Sequence, residues 1–475
     1  MTLRVFEAFA GVGTQRMALE RLGIKHEVVG IAEVDEFAIN SYAAIHEEGE
    51  EVVDVSEDEM RDYLRKLNIP LNDQGKLKNP RGKKLKNVYT SSKKVRNLGD
   101  ISKINVENIP DHDLFTYSFP CQDISLAGEL GGLKKGSGTR SSLLWECKRV
   151  IDTKKPKYLL MENVKNLVGK KFKPHFEEWL KYLEALGYTT YWEVLNAKNY
   201  GVPQNRERVF AVSVLGGHEP YVFPKPIKLE KRLKDVLEDE VDEKYYLDDE
   251  RAQQLIATIT DVKDTNSVIE PERILGIFDK ENSTHQSGSV YNKDKIAPTL
   301  DTMQGGWRQP SIVEPNKHIK PINPLKGKTN NGWHFEQEVY DEKGIARALK
   351  AGGGSGNIPK TIEGIPIKNN TEQGYLIAKD GDGVDLAYPT SNTRRGRVQD
   401  NISQTLTTDD SKGVVEQYRI RKLTPLECWR LMGISDEDFY KAQAVNSNTQ
   451  LYKQAGNAIV VDVLVAIFRE LFSNR

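Results

Sequence analysis

The first 215 or so residues alternate short apolar runs with amphipathic stretches. Residues 3–9 form an apolar run that predicts a buried strand, and residues 14–22 carry apolar positions at helical spacing. Gly23 follows where a helix C-cap belongs. A second strand is predicted at 28–31, and Asp35 begins the next helical pattern. Further apolar runs predict strands at 113–118, 158–161, 188–195 and 208–214, with a helical pattern at 174–186.

Strands that alternate with helices predict an α/β fold with a Rossmann-like, mostly parallel sheet covered on both faces. In such sheets, ligands bind at the carboxyl ends of the strands. Functional side chains are therefore expected just after the predicted strands.

The pattern changes after about Gly216. Residues 217–418 are rich in Gly, Asn, Thr, Asp and Pro and lack the strand and helix rhythm. Residues 290–300 resemble residues 339–349, and 402–406 echoes the end of both, although the third copy could be coincidence. We interpret these copies as strand and loop units of a smaller β-rich domain with exposed loop tips.

A second irregular region extends from Ser56 to Arg96 and is rich in lysine. A charge run of this kind is usually a solvated loop, which is the favoured interpretation. A phosphate-contacting arm is the alternative.

The chain has 475 residues and a formal net charge of -1. Its length predicts more than one domain, and its charge neither supports nor excludes a nucleic-acid partner. No apolar stretch is long enough to span a membrane and the N-terminus does not resemble a signal peptide, so a cytoplasmic location is expected. Three cysteines, Cys121, Cys147 and Cys428, are too few and too scattered for a disulfide framework or a thiolate metal site. Core positions are favoured for the last two.

The first predicted strand ends at Phe9 and leads through Gly11 and Gly13 into a helix. This layout is typical of a loop that binds a nucleotide-type cofactor, because glycines let the backbone approach the ligand closely. Glu33 ends the second strand, where a carboxylate can accept hydrogen bonds from ribose hydroxyls. These residues fit a dinucleotide or S-adenosylmethionine, and a plain tight turn is the alternative.

Three more strand ends carry chemistry. Cys121 follows a strand and comes directly after a proline, although a lone cysteine is more often a core residue than a nucleophile. Glu162 stands at the end of another strand. Arg206 and Arg208 are two residues apart, so they are expected to share one strand face and converge on one ligand.

These motifs resemble, in linear order, those of the bacterial C5-cytosine DNA methyltransferases. The resemblance covers the first 215 or so residues and the last 60 or so. The matching segments are FEAFAGVG at 6–13, EV at 33–34, GDI at 99–101, FPCQ at 119–122, MENV at 161–164, YGVPQNRER at 200–208, RKLTPLE at 421–427 and QAGNAI at 454–459.

The resemblance implies a sequence-specific DNA (cytosine-5)-methyltransferase that protects DNA from restriction. Cys121 would add to cytosine C6 as the nucleophile, and Glu162 would hydrogen-bond cytosine N3. Asn163 would hold the loop, while Arg206 and Arg208 would neutralise phosphate or base-carbonyl charge and help orient the thiolate.

The implied cofactor is S-adenosylmethionine, with S-adenosylhomocysteine as the product and no metal. Glu33 would take the ribose hydroxyls and Asp100 the adenine amino group, with Val34 and Ile101 on the adenine faces. The residues implied near the rest of the cofactor are Phe9, Gly11, Gly13, Leu143 and Asn457.

The resemblance also implies a catalytic domain formed by residues 1–216 and 419–475, with a target-recognition domain at 217–418. The substrate would be double-stranded DNA, from which the target base must flip to reach Cys121. We expect a monomer, encoded by a bacterium or a phage, with no obligate protein partner and no membrane. The candidate DNA-binding residues are Gln122, Trp307, Arg308, Arg394 and Arg395; for the last four, solvated loops of a spacer domain are the alternative.

Three other functions stay open. A tRNA cytosine-5 methyltransferase of the same fold would share the chemistry but would not need 200 or so residues between Arg208 and Arg421. A nicotinamide oxidoreductase could use the same glycine turn and Glu33, but it would not need Cys121 and Glu162. A catalytically inactive DNA-binding regulator is disfavoured because both of these residues are present.

Overall fold

The structure is a computed structural model. It describes residues 2–49, 54–72, 74–120, 143–245, 271, 273–276, 289–300, 302, 309–315, 339–341, 360–362, 365–368, 375–378, 383–385, 398–399, 412–414 and 418–472. Six predicted site residues lie outside the described ranges, namely Cys121, Gln122, Trp307, Arg308, Arg394 and Arg395.

Helices and strands alternate through the first half of the chain. The helices are α1 Thr14–Arg21, α2 Glu36–His46, α3 Glu57–Lys66, α4 Gly82–Lys94, α5 Leu144–Lys154, α6 Lys173–Ala185, α7 Pro425–Arg430, α8 Asp436–Gln443, α9 Asn448–Asn457 and α10 Val461–Phe472. The longer strands are β1 Leu3–Ala8, β2 His26–Ala32, β3 Leu114–Tyr117, β4 Tyr158–Val164, β5 Tyr188–Asn196 and β6 Glu207–Leu215. The remaining strands are β7 Arg273–Gly276, β8 Ser289–Tyr291, β9 Ser311–Pro315, β10 Val339–Asp341, β11 Lys360–Ile362, β12 Ile365–Lys368, β13 Tyr375–Ala378, β14 Gly383–Asp385, β15 Val398–Gln399, β16 Lys412–Val414 and β17 Tyr418–Lys422.

One six-stranded sheet organises the first half of the chain, with the strand order β2-β1-β3-β4-β6-β5. The pairs β1 with β2, β1 with β3 and β3 with β4 are parallel. Strand β6 is antiparallel to both of its neighbours, β4 and β5. The predicted α/β fold with a mostly parallel sheet is therefore confirmed, and each of the six strands overlaps a predicted one.

Helices cover both faces of this sheet. Successive strand residues point to opposite faces, so neighbours in sequence pack against different helices. Val5 and Leu160 belong to the core cluster that contains residues of α1 and α10. Phe6 and Leu159, their neighbours in sequence, belong to the cluster that contains residues of α5 and α6. The sheet is thus buried on both sides, which explains why its central strands are continuous apolar runs.

Two of the three cysteines have the predicted core positions. Cys147 lies on α5 and Cys428 on α7, and both side chains are fully buried. Burial raises the pKa of the Cys147 thiol, because a thiolate is poorly solvated in an apolar environment. The Cys147 thiol is therefore poorly suited to act as a nucleophile.

The prediction of a solvated loop at Ser56–Arg96 was wrong, because this segment contains α3 and α4. Ser56 caps α3 through a capping box with Glu59. The two helices bury apolar residues against α2, and their lysines lie on the other side, so the charge run concealed an amphipathic pattern. The residues of this small core are Ile39, Met60, Leu64, Ile69, Leu85 and Val88.

The chain forms two compact units. The first unit comprises Met1–Tyr245, Asp261–Ile312 and Lys422–Arg475, and the second comprises Tyr246–Thr260 and Val313–Arg421. The first unit therefore extends beyond the boundary predicted at residue 216. The reason is a set of apolar residues, including Tyr221 and Leu233, that are buried in the same core cluster as Trp429.

The first two copies of the internal repeat share one arrangement. In the first copy, β8 pairs in parallel with the beginning of β9, and in the second, β10 pairs in parallel with β11. The first copy lies in the first unit, so the repeat is not confined to the second. The third copy, at residues 402–406, lies outside the described residues. Within the ranges given above, no helix has the length and apolar character that crossing a membrane requires.

Candidate active site

The loop after β1 depends on two glycines with left-handed backbone conformations. Gly11 has φ of 58° and Gly13 has φ of 79°, values that other residues rarely adopt. A Cβ atom on Gly13 would lie 2.4 Å from His46 Nε2, whereas one on Gly11 would meet no atom within 4 Å. Phe9 also has a positive φ, of 56°. The loop is therefore tight against α2 on one side and open at Gly11.

A polar cluster that sequence reasoning missed lies beneath this loop. The Tyr42 hydroxyl donates to Glu7 Oε2 over 2.7 Å, and His46 Nε2 lies 3.0 Å from the carbonyl oxygen of Val12. Glu7 is fully buried, and this burial raises the pKa of its carboxyl group. The available signal was an acidic residue within the apolar strand β1.

The carboxylate of Glu33 closes the loop at the end of β2. Its Oε2 accepts from the backbone N–H of Gly11 at 2.9 Å, and its Oε1 accepts from those of Val34 and Asp35 at 2.7 and 2.9 Å. A carboxylate has about four acceptor sites, so Oε2 keeps one for a ligand. Asn97 fixes the Glu33 backbone through hydrogen bonds of 3.1 and 3.0 Å.

A second carboxylate, Asp100, is held in a similar way. Its Oδ1 accepts from the N–H and hydroxyl of Ser102 at 2.9 and 2.8 Å, and its Oδ2 accepts from Asn68 Nδ2 at 2.6 Å. The next residue, Ile101, is buried in the core. Val34 is held by a hydrogen bond of 2.9 Å from the Leu71 N–H to its carbonyl oxygen.

This donor and acceptor set fits an adenosyl ligand. Gly11 leaves open space beside the loop. Glu33 and Asp100 each keep an acceptor site that suits a hydroxyl or amino hydrogen. Across the described ranges, no group of three His, Cys, Asp or Glu side chains is arranged to hold a metal ion.

The two remaining cofactor candidates stand at helix ends. Leu143 is the N-cap residue of α5 and packs against the core, and Asn457 is the exposed last residue of α9. Residues of the C-terminal helix α10 and of α1 belong to one core cluster.

The segment between β3 and the predicted nucleophile is tied to the strand that carries Glu162. Asn163 Nδ2 donates to the carbonyl oxygen of Phe119 over 2.9 Å, and both residues are buried. This hydrogen bond anchors the chain two residues before Cys121.

Glu162 and Arg208 form an ion pair across β4 and β6. In the register of these strands, Glu162 lies opposite Phe210 and Arg208 lies opposite Val164, so the two charged residues are diagonal neighbours on one face. Arg208 Nε lies 3.3 Å from Glu162 Oε1. Burial nevertheless raises the pKa of Glu162, although the charges of Arg208 and Arg206 act to lower it. This carboxyl therefore accepts a proton more readily than an ordinary glutamate.

Arg206 does not present its guanidinium beside Arg208 as the spacing predicted. Its Nη1 donates to the carbonyl oxygen of Leu300 at 2.8 Å, and its Nη2 donates to those of Gly456 and Ala458 at 2.8 and 2.9 Å. Both arginines border one small cavity, but their partners differ. The reason is that β6 begins at Glu207, so Arg206 lies before the strand and can turn towards the C-terminal segment.

Arg206→Ala is expected to lower the free energy of unfolding by about 3 kcal/mol or more, because it leaves three buried carbonyl groups without these donors. Urea denaturation of the intact chain measures the loss. The comparison variant is Arg208→Ala, which removes one backbone hydrogen bond of 2.8 Å, to Glu207, and the 3.3 Å ion pair with Glu162. It should cost less, because Glu162, whose pKa is raised by burial, can take up a proton when its partner is lost, whereas carbonyl groups cannot. A loss below about 1 kcal/mol for Arg206→Ala would contradict the structural role.

Gln204 is another buried residue that sequence reasoning did not single out. Its Nε2 donates to the carbonyl oxygen of Leu431 at 2.7 Å, and its Oε1 accepts from the Leu300 N–H at 3.3 Å. The motif at 200–208 therefore joins distant parts of the chain. Its partners are known only from the fold, because the sequence contains no local signal for them.

The comparisons with known proteins agree on one family. The sequence profile of C-5 cytosine-specific DNA methylase matches residues 59–473. Type II methyltransferase M2.ScrFI of Lactococcus lactis subsp. cremoris is 38% identical over 480 positions, covering 100% of both chains. Orphan methyltransferase M.SssI of Spiroplasma monobiae is 41% identical over 337 positions, covering 68% of this chain and 84% of that protein. Orphan methyltransferase M.SPBetaI of Bacillus phage SPbeta is 29% identical, covering 99% and 97%.

The fold is also similar to a solved structure. The crystal structure of S. pombe Dnmt2 methyltransferase aligns with a TM-score of 0.50 and 15% identity, covering 99% of this chain and 98% of that chain. At this identity the likeness concerns the fold alone.

Proposed function

The chain belongs to the C-5 cytosine-specific DNA methylase family and is a DNA (cytosine-5-)-methyltransferase, and from this premise we propose how it acts. It transfers a methyl group from S-adenosylmethionine to C5 of a flipped cytosine within one short sequence of double-stranded DNA. The reaction passes through a covalent bond between Cys121 and cytosine C6. The observation that carries the proposal is the ion pair between the buried Glu162 and the partly buried Arg208. The strand that carries Glu162 is tied through Asn163 to the segment that leads to Cys121.

The Cys121 thiolate is needed because C5 of cytosine is by itself too weak a nucleophile to attack a methyl group. The Cys121 thiolate adds to C6, and the electrons of the C5–C6 double bond become available at C5. When bound, S-adenosylmethionine would supply an electrophilic methyl group to C5 and would remain as S-adenosylhomocysteine after its sulfonium–methyl bond breaks. Afterwards the C5 proton leaves to water, the C6–S bond breaks, and the thiolate of Cys121 is restored.

Glu162 manages the charge that develops on the base. Addition at C6 makes N3 more basic, and a protonated carboxyl can donate its proton there. The burial that raises the pKa of Glu162 supports this role, because it stabilises the protonated form. The proton returns to Glu162 when the double bond is restored.

The arginines take different roles in this proposal. Arg208 stays beside Glu162, where its charge can face the carbonyl oxygen of the base or a phosphate. Arg206 acts through its three carbonyl partners, which hold the turn at Gly456 and Ala458 against the catalytic strands. We therefore assign Arg206 as a positioning residue.

The cofactor residues keep the roles that the resemblance implied. Phe9, Gly11 and Gly13 line the methionine end, and Glu33 and Asp100 accept from the ribose and the adenine amino group. The fit of these groups to an adenosyl ligand supports the assignment. Val34 and Ile101 face the adenine ring, with Leu143 and Asn457 nearby.

Recognition of the flanking bases is assigned to residues 217–418. Within the parts of Val313–Arg421 that the structure describes, the regular elements are short strands, β10 to β16 among them. Such strands can carry loops to the base edges in the major groove, and Arg394 and Arg395, between β14 and β15 in the sequence, are the candidate readers there. Trp307 and Arg308, between β8 and β9 in the sequence, are further candidates, and Gln122 is the candidate in the catalytic loop. One relative is a type II methyltransferase, and this similarity supports protection from a cognate endonuclease as part of the proposal.

A map of methylated cytosines tests the proposal. The intact chain is expressed in cells that lack other cytosine methylation, and plasmid DNA is sequenced after bisulfite treatment. We expect methylation at C5 confined to one short motif. If the protein is folded and binds S-adenosylhomocysteine but leaves the DNA unmethylated, the proposal of a DNA substrate is overturned and the tRNA alternative is favoured. The tRNA of the same cells can then be tested for methylated cytosine.

A further inference from the structure

The helical segment at residues 56–96 packs directly behind the residues assigned to the adenine ring. Ile39 on α2 is buried in the same small core as Leu64 and Ile69 of this segment, and Val34 packs against that core. The Leu71 N–H also donates to the carbonyl oxygen of Val34. The segment is thus part of the wall of the cofactor edge and is not a separate surface arm.

The turn after α3 touches the Gly99–Asp100 turn without space for an additional side chain. The Asp100 N–H donates to the carbonyl oxygen of Leu67 at 3.0 Å. Gly99 has φ of 82°, and a Cβ atom there would lie 2.1 Å from the same carbonyl oxygen. The position of Asp100 is therefore set by residues 67–68 as well as by its own strand connection.

Asn68 makes the side-chain contact at this junction. Its backbone is left-handed, with φ of 56°, a conformation that asparagine tolerates better than most residues. This conformation allows its Nδ2 to reach Asp100 Oδ2 at 2.6 Å. Ser102 already occupies both acceptor sites of Oδ1, so Oδ2 is the oxygen with a free site. Among the residues that the structure describes, Asn68 therefore contacts the Asp100 oxygen that keeps an acceptor site for a ligand.

We propose that Asn68 is a positioning residue that aims the free acceptor site of Asp100 Oδ2 at the exocyclic amino group of the cofactor's adenine. This inference rests on the proposed function, which assigns Asp100 to that amino group. The Asn68 amide donates to one acceptor site of Oδ2 and holds the carboxylate in place, which leaves the other acceptor site of this oxygen for the adenine amino group. A purine with a carbonyl oxygen in place of the adenine amino group would bring one hydrogen-bond acceptor against another, Asp100 Oδ2.

The chemistry predicts a measurable selectivity. The chain should bind S-adenosylhomocysteine more tightly than S-inosylhomocysteine, in which a carbonyl replaces the amino group. A lost hydrogen bond to a charged group weakens binding by about ten- to a hundredfold. If Asn68 aims the acceptor, its removal should reduce that ratio, whereas general loosening of the protein would weaken both ligands together.

Asn68→Gly is the variant of choice, because glycine keeps the left-handed backbone and removes only the side chain. Asn68→Asp is the second variant, since it keeps the shape and replaces the donor with an acceptor. The matched control is Asn72→Ala, which alters an asparagine of the same segment whose Oδ1 accepts from Gln74 and Lys76 instead of contacting Asp100. Isothermal titration measures the Kd of both ligands for each protein.

We expect both Asn68 variants to lower the selectivity ratio about tenfold, with Asn72→Ala unchanged. Equal binding of the two ligands by the parent protein would overturn the assignment of Asp100 in the proposed function. A selective parent and equally selective, folded Asn68 variants would overturn the inference alone. If one Asn68 variant fails to fold, the other decides.

Discussion

Cys121→Ser is expected to lower the rate of methyl transfer by about a thousandfold or more while the Kd for S-adenosylhomocysteine stays unchanged. A serine hydroxyl is far less acidic than a thiol and supplies almost no anion at neutral pH, so addition at C6 fails. Single-turnover transfer of a labelled methyl group to a duplex that contains the mapped motif measures the rate.

The chain offers a matched control for this substitution. Cys147 is a buried core thiol, so Cys147→Ala should transfer methyl groups at nearly the parent rate. A Cys121→Ser protein that keeps more than about a tenth of the parent rate would contradict the assignment of the nucleophile. Loss of transfer in the control, with the fold intact, would move that assignment to Cys147.

A duplex with 5-fluorocytosine at the target position separates bond formation from binding. Fluorine cannot leave C5 as the proton does, so elimination stops and the Cys121–C6 bond persists. The parent protein should form a complex that survives denaturing electrophoresis, and Cys121→Ser should not. A persistent complex of the serine variant would show that another residue bonds to the base.

Glu162→Ala is expected to lower the rate of methyl transfer by about 10²- to 10⁴-fold, the range typical of a lost proton donor. Glu162→Gln should fall between this variant and the parent, because its amide can hydrogen-bond N3 but cannot deliver a proton. Comparable rates for parent and alanine variant would refute the proposed role of Glu162.

The pH dependence distinguishes proton donation from simple hydrogen bonding. The pKa of Glu162 is raised by burial, so its protonated form persists to higher pH than in an ordinary glutamate. The parent rate should fall as pH rises through that raised pKa, and Glu162→Gln should lack this fall. The rise that comes from ionisation of the Cys121 thiol should remain in both proteins.

A substitution at Arg208 tests whether the fall in rate at high pH follows the pKa of Glu162. Its charge acts to lower the pKa of Glu162, so Arg208→Met should move the falling limb to higher pH. A shift to lower pH would mean that burial of Glu162 changes when the arginine is lost.

The fold was largely predictable because its signals are local. The run at residues 3–9 and the helical spacing at 14–22 lie close to the bounds of β1 and α1. Burial on both faces makes central strands uniformly apolar, and the sequence displays this directly. The helices of the lysine-rich segment were not predicted because their apolar residues are few among many charges. These residues, Met60, Leu64, Leu85 and Val88, form a core only together with Ile39 of α2.

The site was predictable to a different extent. Glu162 was found from its motif, but its raised pKa and its contact with Arg208 depend on strand register. Arg206 has the correct spacing for the same ligand, yet its partners lie about 94 and 250 residues away along the chain. Asn68 had no signal, because a lone asparagine in a charged segment does not indicate which carboxylate it will contact.

The sequence by itself determined the order of the six strands of the main sheet, the glycine loop and the set of reactive residue types, because each depends on neighbours within a few positions. Only the tertiary structure decided which of these residues share an environment. It paired Glu162 with Arg208, directed Arg206 to three carbonyl groups and brought Asn68 to Asp100. Hydrogen bonds and burial act over a few ångströms in space, and residues far apart in the chain satisfy that distance only after the chain has folded.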